Sequence, residues 1–238
     1  MSKLAFIFPG QGAQKAGMGK DFYENSEAAR SFFDQAQKIL DFDLKEMCFG
    51  EHEELNLTEY TQPCMVSVCL AIVQELKKRG INPDITAGLS LGEYAAVAAA
   101  GGMNELDAIK LVRRRGILMQ STVPAGEGAM AAVLGLDAKK IEEILESFEN
   151  VWIANYNCPG QIVITGLTNE VKQASLALKE AGAKRVVELK VSGPFHSLLL
   201  KPAGEALLKE MESMSFSPLQ VPYVANATAE IVTDSKKI

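Results

Sequence analysis

Histidine is scarce: His52 and His196 are the only two in 238 residues, so a histidine-rich metal site has no material to form from. Basic charge is also short. The 24 Lys and Arg stand against 30 Asp and Glu, giving a net charge of -6 and a pI near 5.2. A nucleic-acid binder would need a basic face, although a local basic patch can exist on an acidic protein. The four cysteines, Cys48, Cys64, Cys69 and Cys158, form no Cys-x-x-Cys pair and no framework spacing. They are expected to be reduced and mostly buried, as in a cytoplasmic protein. No apolar run approaches ~20 residues, so no membrane span is expected. The amino-terminal stretch Leu4-Ala5-Phe6-Ile7-Phe8 is too short for a signal peptide. Internal repeats and low-complexity tracts are lacking as well.

What is present is a globular composition, 47% hydrophobic and 23% charged. The length suffices for one large domain or for a domain carrying a smaller one. Leu4 to Phe8, ended by Pro9-Gly10, reads as a buried strand followed by the glycine-rich loop "GQGAQKAGMG". Ser26 to Leu40 has helical spacing, with Ala29, Phe32, Phe33, Ala36 and Leu40 on one side. A longer helix is expected with Thr61 as cap, Pro63 in its first turn, Lys77, Lys78 and Arg79 in its last, and Gly80 at its end. "DITAGLS" reads as a strand, "GEYAAVAAA" as a helix, and Ala108 to Gln120 as another helix.

After Gly126 and Gly128 the texture changes. The pattern predicts strand Ala129–Leu134, helix Ala138–Phe148, strands Val151–Tyr156 and Gln161–Thr165 turning at Pro159-Gly160, helix Asn169–Ala181 and strand Arg185–Val191. That β-α-β-β-α-β order is the split, ferredoxin-like pattern of an antiparallel sheet with two helices on one face. Residues 126–191 therefore read as a small subdomain inserted in a larger one made of 1–125 and 192–238. The larger one resumes with "SGPFHS", a helix from Leu198 to Met214, and a strand "VPYVAN".

Gly88-Leu89-Ser90-Leu91-Gly92 places a serine between two glycines where the strand feeds a helix. In that context Gly-x-Ser-x-Gly is a nucleophile elbow, with helix N–H groups favouring negative charge beside the serine. The alternative is a small-residue junction without chemistry. Serine needs a base. His52 sits in a run of charges that reads as a solvated loop. His196 lies between a strand and a helix, where a lone histidine can be purely structural; if Ser90 is catalytic, His196 is the base by elimination, with no carboxylate near it in sequence to orient it. The loop "FPGQGAQ" fails both phosphate-loop patterns: Gly17 is followed by Met18 rather than Lys, and the third dinucleotide glycine would fall on Lys15. Such a loop can still aim a backbone N–H into a site. Arg113, Arg114 and Arg115 cannot all face one way on a helix. A solvated basic face accounts for most of them, and one turned inward would need an anion, such as a substrate carboxylate held bidentately.

In combination, "FPGQGAQ", "TQP", "GLSLGEYAA", "RRGILMQ", "ANYNCPGQIVITG" and "SGPFHS" resemble the malonyl-CoA:acyl-carrier-protein transacylases along the whole chain. The resemblance implies an α/β fold, with an α/β-hydrolase-like large subdomain built on a parallel sheet and an inserted ferredoxin-like small one. It implies malonyl transfer from malonyl-CoA to the phosphopantetheine thiol of acyl carrier protein, in fatty acid biosynthesis, with no metal or redox cofactor. It puts Ser90 at the acylated serine and His196 at the catalytic histidine. It puts Arg115 at the malonyl carboxylate clamp, and Gln11 and Leu91 at the main-chain oxyanion hole. Phe195, before the histidine, matches the phenylalanine that accompanies malonyl over methylmalonyl choice in related acyltransferase domains. Lys184, Arg185, Lys190 and Lys201 are candidates for a basic patch facing the acidic carrier protein, or ordinary solvated side chains.

Two features depart from the family pattern. Leu89 stands where histidine usually precedes the serine. The family also continues for several tens of residues past Ile238, with a Gly-Pro-Gly segment and a glutamine whose carbonyl orients the histidine. A chain ending at Ile238 is expected to lack one strand of the main sheet and that orienting group. The rival readings are a serine esterase or thioesterase, with water as acceptor and no use for an inward arginine, and a non-enzymatic folding or interaction module.

Overall fold

Ala5–Phe8 forms β1, one residue shorter than its apolar run, and Pro9 ends it. The computed structural model describes residues 3–124, 126–189, 191 and 193–238. Lys190 of the basic patch and the expected boundary residues Ala125 and Ser192 lie outside the described residues. The chain divides into two compact units, Met1–Gly116 with Lys209–Ile238, and Ile117–Leu208.

In the first unit β1 is followed by α1 (Lys20–Asn25), α2 (Glu27–Gln37), α3 (Leu44–Phe49), α4 (Thr58–Lys78), β2 (Ile85–Gly88), α5 (Leu91–Ala99) and the first two thirds of α6 (Glu105–Thr122), which passes into the second unit at Ile117. The second unit holds β3 (Gly128–Leu134), α7 (Ala138–Leu145), β4 (Val151–Cys158), β5 (Gln161–Leu167), α8 (Thr168–Glu180) and β6 (Arg185–Glu188). α9 (Lys201–Glu212) leads back to β7 (Tyr223–Val224) and β8 (Ile231–Val232) of the first unit. One sheet has the order β1-β2-β7-β8, with β1, β2 and β7 parallel and β8 antiparallel to β7. The other has the order β4-β5-β3-β6 and is antiparallel throughout. Helices alternating with a parallel sheet make the protein an α/β chain.

Several boundaries move for local reasons. α2 stops at Gln37 because that side chain turns the backbone: its amide donates to the Phe42 carbonyl at 2.9 Å and accepts from the Leu44 N–H at 2.8 Å. α4 begins at Thr58, not at a Thr61 cap. The Thr61 hydroxyl instead donates back to the carbonyls of Leu55 (2.6 Å) and Leu57 (3.0 Å). Pro63 thus sits inside the helix, where it cannot bond the Glu59 carbonyl one turn earlier. The Arg113 guanidinium donates to that carbonyl at 2.7 Å, so the orphan is satisfied. At the other end of the chain, Leu198–Leu200 is a tight 3-10 turn and α9 proper starts at Lys201.

The core of the first unit is built on Phe33, Leu44, Leu70, Leu91, Ile109 and Val112, all buried. In the second, β3 is covered on both faces, which explains its unbroken apolar run. Ala129, Ala131 and Val133 pack against Ile141, Leu145, Val171, Ala174 and Leu178 of α7 and α8. Met130 and Ala132, on the alternate face, meet Met119, Val123, Phe195, Leu200 and Ala203. All four cysteines are free: Cys48 and Cys64 are buried, Cys69 is half-buried and Cys158 is exposed. No helix among the described residues is long and apolar enough to cross a membrane.

Candidate active site

β2 hands over to α5 through Leu89 and Ser90. Ser90 adopts φ 49° and ψ -100°, a backbone conformation that costs a non-glycine residue on the order of 1–3 kcal/mol. The neighbouring glycines are dictated by space. A Cβ on Gly88 would lie 2.0 Å from the Gly92 carbonyl carbon, and one on Gly92 would lie 2.4 Å from the Phe8 oxygen. Strand, elbow and helix therefore touch backbone to backbone, and any side chain at 88 or 92 would push them apart. Leu91 is the first residue of α5, where a helix leaves its N–H groups without intrahelical acceptors. Leu89 is exposed, and its N–H donates to the Phe8 carbonyl at 3.1 Å, so its side chain points away from the core.

Asn226, just beyond β7, braces the elbow. Its Oδ1 accepts from the Ser90 N–H at 2.7 Å and its Nδ2 donates to the Gly88 carbonyl at 2.6 Å. The Asn226 N–H donates to Glu93 Oε1 at 2.9 Å, in the first turn of α5. Burial raises the Glu93 carboxyl above its usual range, against the opposing pull of Asn226 and Arg115.

The loop after β1 carries Gln11. Its side-chain oxygen accepts from the Thr58 hydroxyl at 2.8 Å; that hydroxyl accepts from Gln62 Nε2 at 2.9 Å; and Gln62 Oε1 accepts from Arg115 Nη1 at 2.8 Å. Thr58 and Gln62 are fully buried. Gln11 and Arg115, far apart in sequence, are thus the two ends of one hydrogen-bonded chain. The guanidinium of Arg115 also lies over the Tyr94 ring, 5.4 Å from its centroid.

The three consecutive arginines separate as helical geometry requires. Arg113 is largely enclosed, but it is occupied: it grips Asp41 with two bonds of 2.9 Å, reaches Glu59, and stacks on Phe42 and Tyr60. That grip holds the Asp41 carboxyl below its usual value. Arg114 is exposed and pairs with Glu210 at 2.9 Å. Among the described residues Arg115 forms no salt bridge, and its only polar side-chain partner is the neutral Gln62. It is the arginine with charge to offer an incoming anion.

His196 belongs to the second unit, while Ser90, Leu91, Gln11 and Arg115 belong to the first. His196 is exposed and sits at φ 62° in the turn that leads to α9. The Phe195 N–H bonds the Gly193 carbonyl at 3.0 Å, and the Ser197 hydroxyl bonds the Pro194 carbonyl at 2.7 Å. Pro194 packs so tightly on Gly128 that a Cβ there would lie 2.2 Å from the proline ring, and Phe195 is buried. The turn is anchored on both sides of the imidazole. His52, by contrast, bonds Glu46 at 3.0 Å on the surface, as its charged surroundings suggested. Lys184 and Arg185 are exposed at the start of β6, and Lys201 pairs loosely with Glu205 at 3.9 Å. Among the described residues no group of three or more His, Cys, Asp and Glu is arranged to hold a metal ion.

Residues 5–236 match the acyl transferase domain family. The malonyl CoA-acyl carrier protein transacylase of Bacillus subtilis (strain 168) is 46% identical over 243 aligned residues, covering 100% of this chain and 77% of that protein. This chain belongs to the malonyl CoA-acyl carrier protein transacylase family. The transacylase of the same name from Staphylococcus aureus (strain MSSA476) is 44% identical, over 100% of this chain and 78% of its own length. Among solved structures, a malonyl-transacylase in complex with its type II PKS acyl-carrier protein has a TM-score of 0.95 at 38% identity, covering 99% of this chain and 78% of that one. The enzyme from Streptococcus pneumoniae has a TM-score of 0.93 at 43% identity, with coverages of 99% and 78%. Within this transacylase chain, sequence reasoning missed Thr58, Gln62 and Asn226. "TQP" gave Gln62 as part of a family motif, but nothing in the local pattern says that its amide links Arg115 to the Gln11 loop.

Proposed function

We propose that this chain transfers a malonyl group from malonyl-CoA to the phosphopantetheine thiol of acyl carrier protein through a malonyl ester on Ser90, in fatty acid biosynthesis in the cytoplasm. The observation that carries the reading is the pairing, within one unit, of a strained serine at a helix N-terminus with an arginine that forms no salt bridge among the described residues. An esterase has no use for the second, and a mere folding module has no use for the first.

Ser90 Oγ attacks the thioester carbonyl carbon while His196 takes its proton. Negative charge gathers on the carbonyl oxygen, where the backbone N–H groups of Gln11 and Leu91 receive it; one such donor is typically worth about 10²–10³ in rate. The C–S bond breaks, His196 returns the proton to the departing thiolate of coenzyme A, and malonyl remains on Ser90. The carrier-protein thiol then reverses these steps, so ping-pong kinetics follow. None of these steps calls for a metal or a redox cofactor. Arg115 holds the malonyl carboxylate, with Gln62 fixing the guanidinium by its Nη1 bond. Phe195, buried beside the imidazole-bearing turn, fits the malonyl preference.

The fold reading that goes with this is an α/β-hydrolase-like large subdomain, 1–125 and 192–238, with a ferredoxin-like subdomain inserted at 126–191. The β4-β5-β3-β6 order supports it, being the order of that antiparallel motif with its two helices between strands one and two and strands three and four. Lys184, Arg185 and Lys201 would meet the acidic carrier protein. Mass spectrometry after incubation with malonyl-CoA tests the proposal: a malonyl adduct on Ser90 that carrier protein removes is expected. No adduct, or an adduct that only water discharges, would sink it in favour of an inert module or an esterase.

A further inference from the structure

We propose that Asn226 is a positioning residue that holds the nucleophile elbow in its strained shape, an inference that rests on Ser90 being the acylated group. β7 pairs with β2 only as far as Ala87 opposite Val224, and then the chain turns away through the Ala225 N–H to Glu230 carbonyl bond at 3.0 Å. The backbone rungs stop one residue short of the elbow. The Asn226 carboxamide supplies the missing rung. A primary amide offers one acceptor and two donors in a plane, like a peptide group. Here the acceptor takes the Ser90 N–H at 2.7 Å and the donor takes the Gly88 carbonyl at 2.6 Å. The two peptide groups that flank Leu89 are thereby clamped to one rigid side chain.

The backbone of the same residue adds a third tie, its N–H to Glu93 Oε1 at 2.9 Å, so the end of β2, Ser90 and the first turn of α5 are all referred to one point. Asn226 is exposed, so it is not there to fill a core. Its polar contacts all go to the elbow and its helix. Ser90 at φ 49° has lower-energy conformations within reach, and relaxing toward one would swing Oγ off its line of attack.

Only the amide chemistry fits both partners. Alanine removes both bonds. Aspartate keeps the shape and the acceptor but sets a carboxylate oxygen against the Gly88 carbonyl, where a donor is needed. The test is the rate constant of Ser90 malonylation at saturating malonyl-CoA, the concentration giving half that rate, and the melting temperature, for wild type, Asn226→Ala and Asn226→Asp. A displacement of ~1 Å can cost on the order of 10²-fold in rate, so a fall of that order is expected in both variants. Half-saturation is expected to stay within about two-fold, because carboxylate binding is untouched. Melting temperature is expected to move by no more than about 2–4 °C, the shift that a change near 1 kcal/mol produces at this size. If Asn226→Ala fails to fold, the shape-preserving Asn226→Asp decides.

Malonylation within about three-fold of wild type overturns the proposal, since a merely structural bond leaves the rate alone. A parallel loss of rate, half-saturation and melting temperature overturns it too, as does loss of the folded state in both variants, because Asn226 is then part of the scaffold. A wild-type protein that forms no Ser90 adduct defeats the functional reading itself and takes this inference with it. An intact wild type beside an unimpaired variant defeats only the role of Asn226.

Discussion

Replacing Arg113 and Arg115 separately by alanine should divide stability from selectivity. Arg113 donates to the part-buried carbonyl that Pro63 leaves without a helical partner, and orphaning a carbonyl away from water costs about 1–3 kcal/mol. It also stacks on two rings at 5.1 and 4.9 Å, contacts worth about 0.5–1 kcal/mol apiece. Asp41 is exposed, so that ion pair adds little once solvent screening is counted. Arg113→Ala is therefore expected to cost about 2–5 kcal/mol, a drop of roughly 4–20 °C in melting temperature at this chain length. It should leave the ratio of malonyl to acetyl acylation of Ser90 unchanged. Arg115→Ala breaks one bond to Gln62 and should cost about 1 kcal/mol of stability. A lost charge-assisted bond to the substrate carboxylate is worth about 1.5–3 kcal/mol, so the malonyl-to-acetyl ratio should fall roughly ten- to a hundredfold. The assay is thermal denaturation beside single-turnover acylation with malonyl-CoA and acetyl-CoA. If the ratio falls for Arg113→Ala, or if Arg115→Ala slows both acyl groups equally, the assignment of the free cation is wrong.

Two glycines should respond in opposite directions. Gly88→Ala drives a methyl to 2.0 Å from Gly92 backbone and is expected to yield little folded protein, whereas Gly204→Ala in α9, with nothing within 4 Å, is expected to stabilise by about 0.4–1 kcal/mol in chemical denaturation. A tolerated Gly88→Ala would mean that strand and helix are not in backbone contact. Stability should also depend on Glu75, whose carboxyl is held below its usual value first by the Ser26 hydroxyl and then by Arg79. A depressed folded value stabilises above the unfolded value of 4.5 and loses that contribution as pH falls through the folded one. The advantage of wild type over Glu75→Gln in urea should thus be present at about pH 6 and shrink by about pH 3. An advantage that grows on acidification would refute the sign.

Much of this was legible because it is local. The 3.6-residue spacing of Ala29, Phe32, Phe33 and Ala36 announced α2, and all four are buried. The unbroken apolar run in 129–134 and the Pro159-Gly160 turn announced the strands of the antiparallel sheet. The Gly-x-Ser-x-Gly junction announced the elbow. Boundaries were less legible where a side chain overrode propensity: Gln37 ended α2 early, and Pro63 was carried inside α4 because a distant arginine served the carbonyl it abandoned. Of the three arginines, helical spacing said only that they diverge. Which one carried unspent charge depended on Asp41, Glu59, Gln62 and Glu210, residues from three other segments.

By itself, then, the sequence determined which segments become helix or strand, and it offered one serine and one histidine as candidates for the chemistry. Those properties follow from side-chain periodicity, steric freedom and functional group, and each is written within a few residues. Only the tertiary structure decided that a carboxamide at 226 completes a rung beside Ser90, and that a buried threonine and glutamine join Arg115 to the loop of Gln11. A hydrogen bond needs its partners within about 3 Å, and no rule of spacing brings residues 136 positions apart to that distance; packing of the whole sheet does.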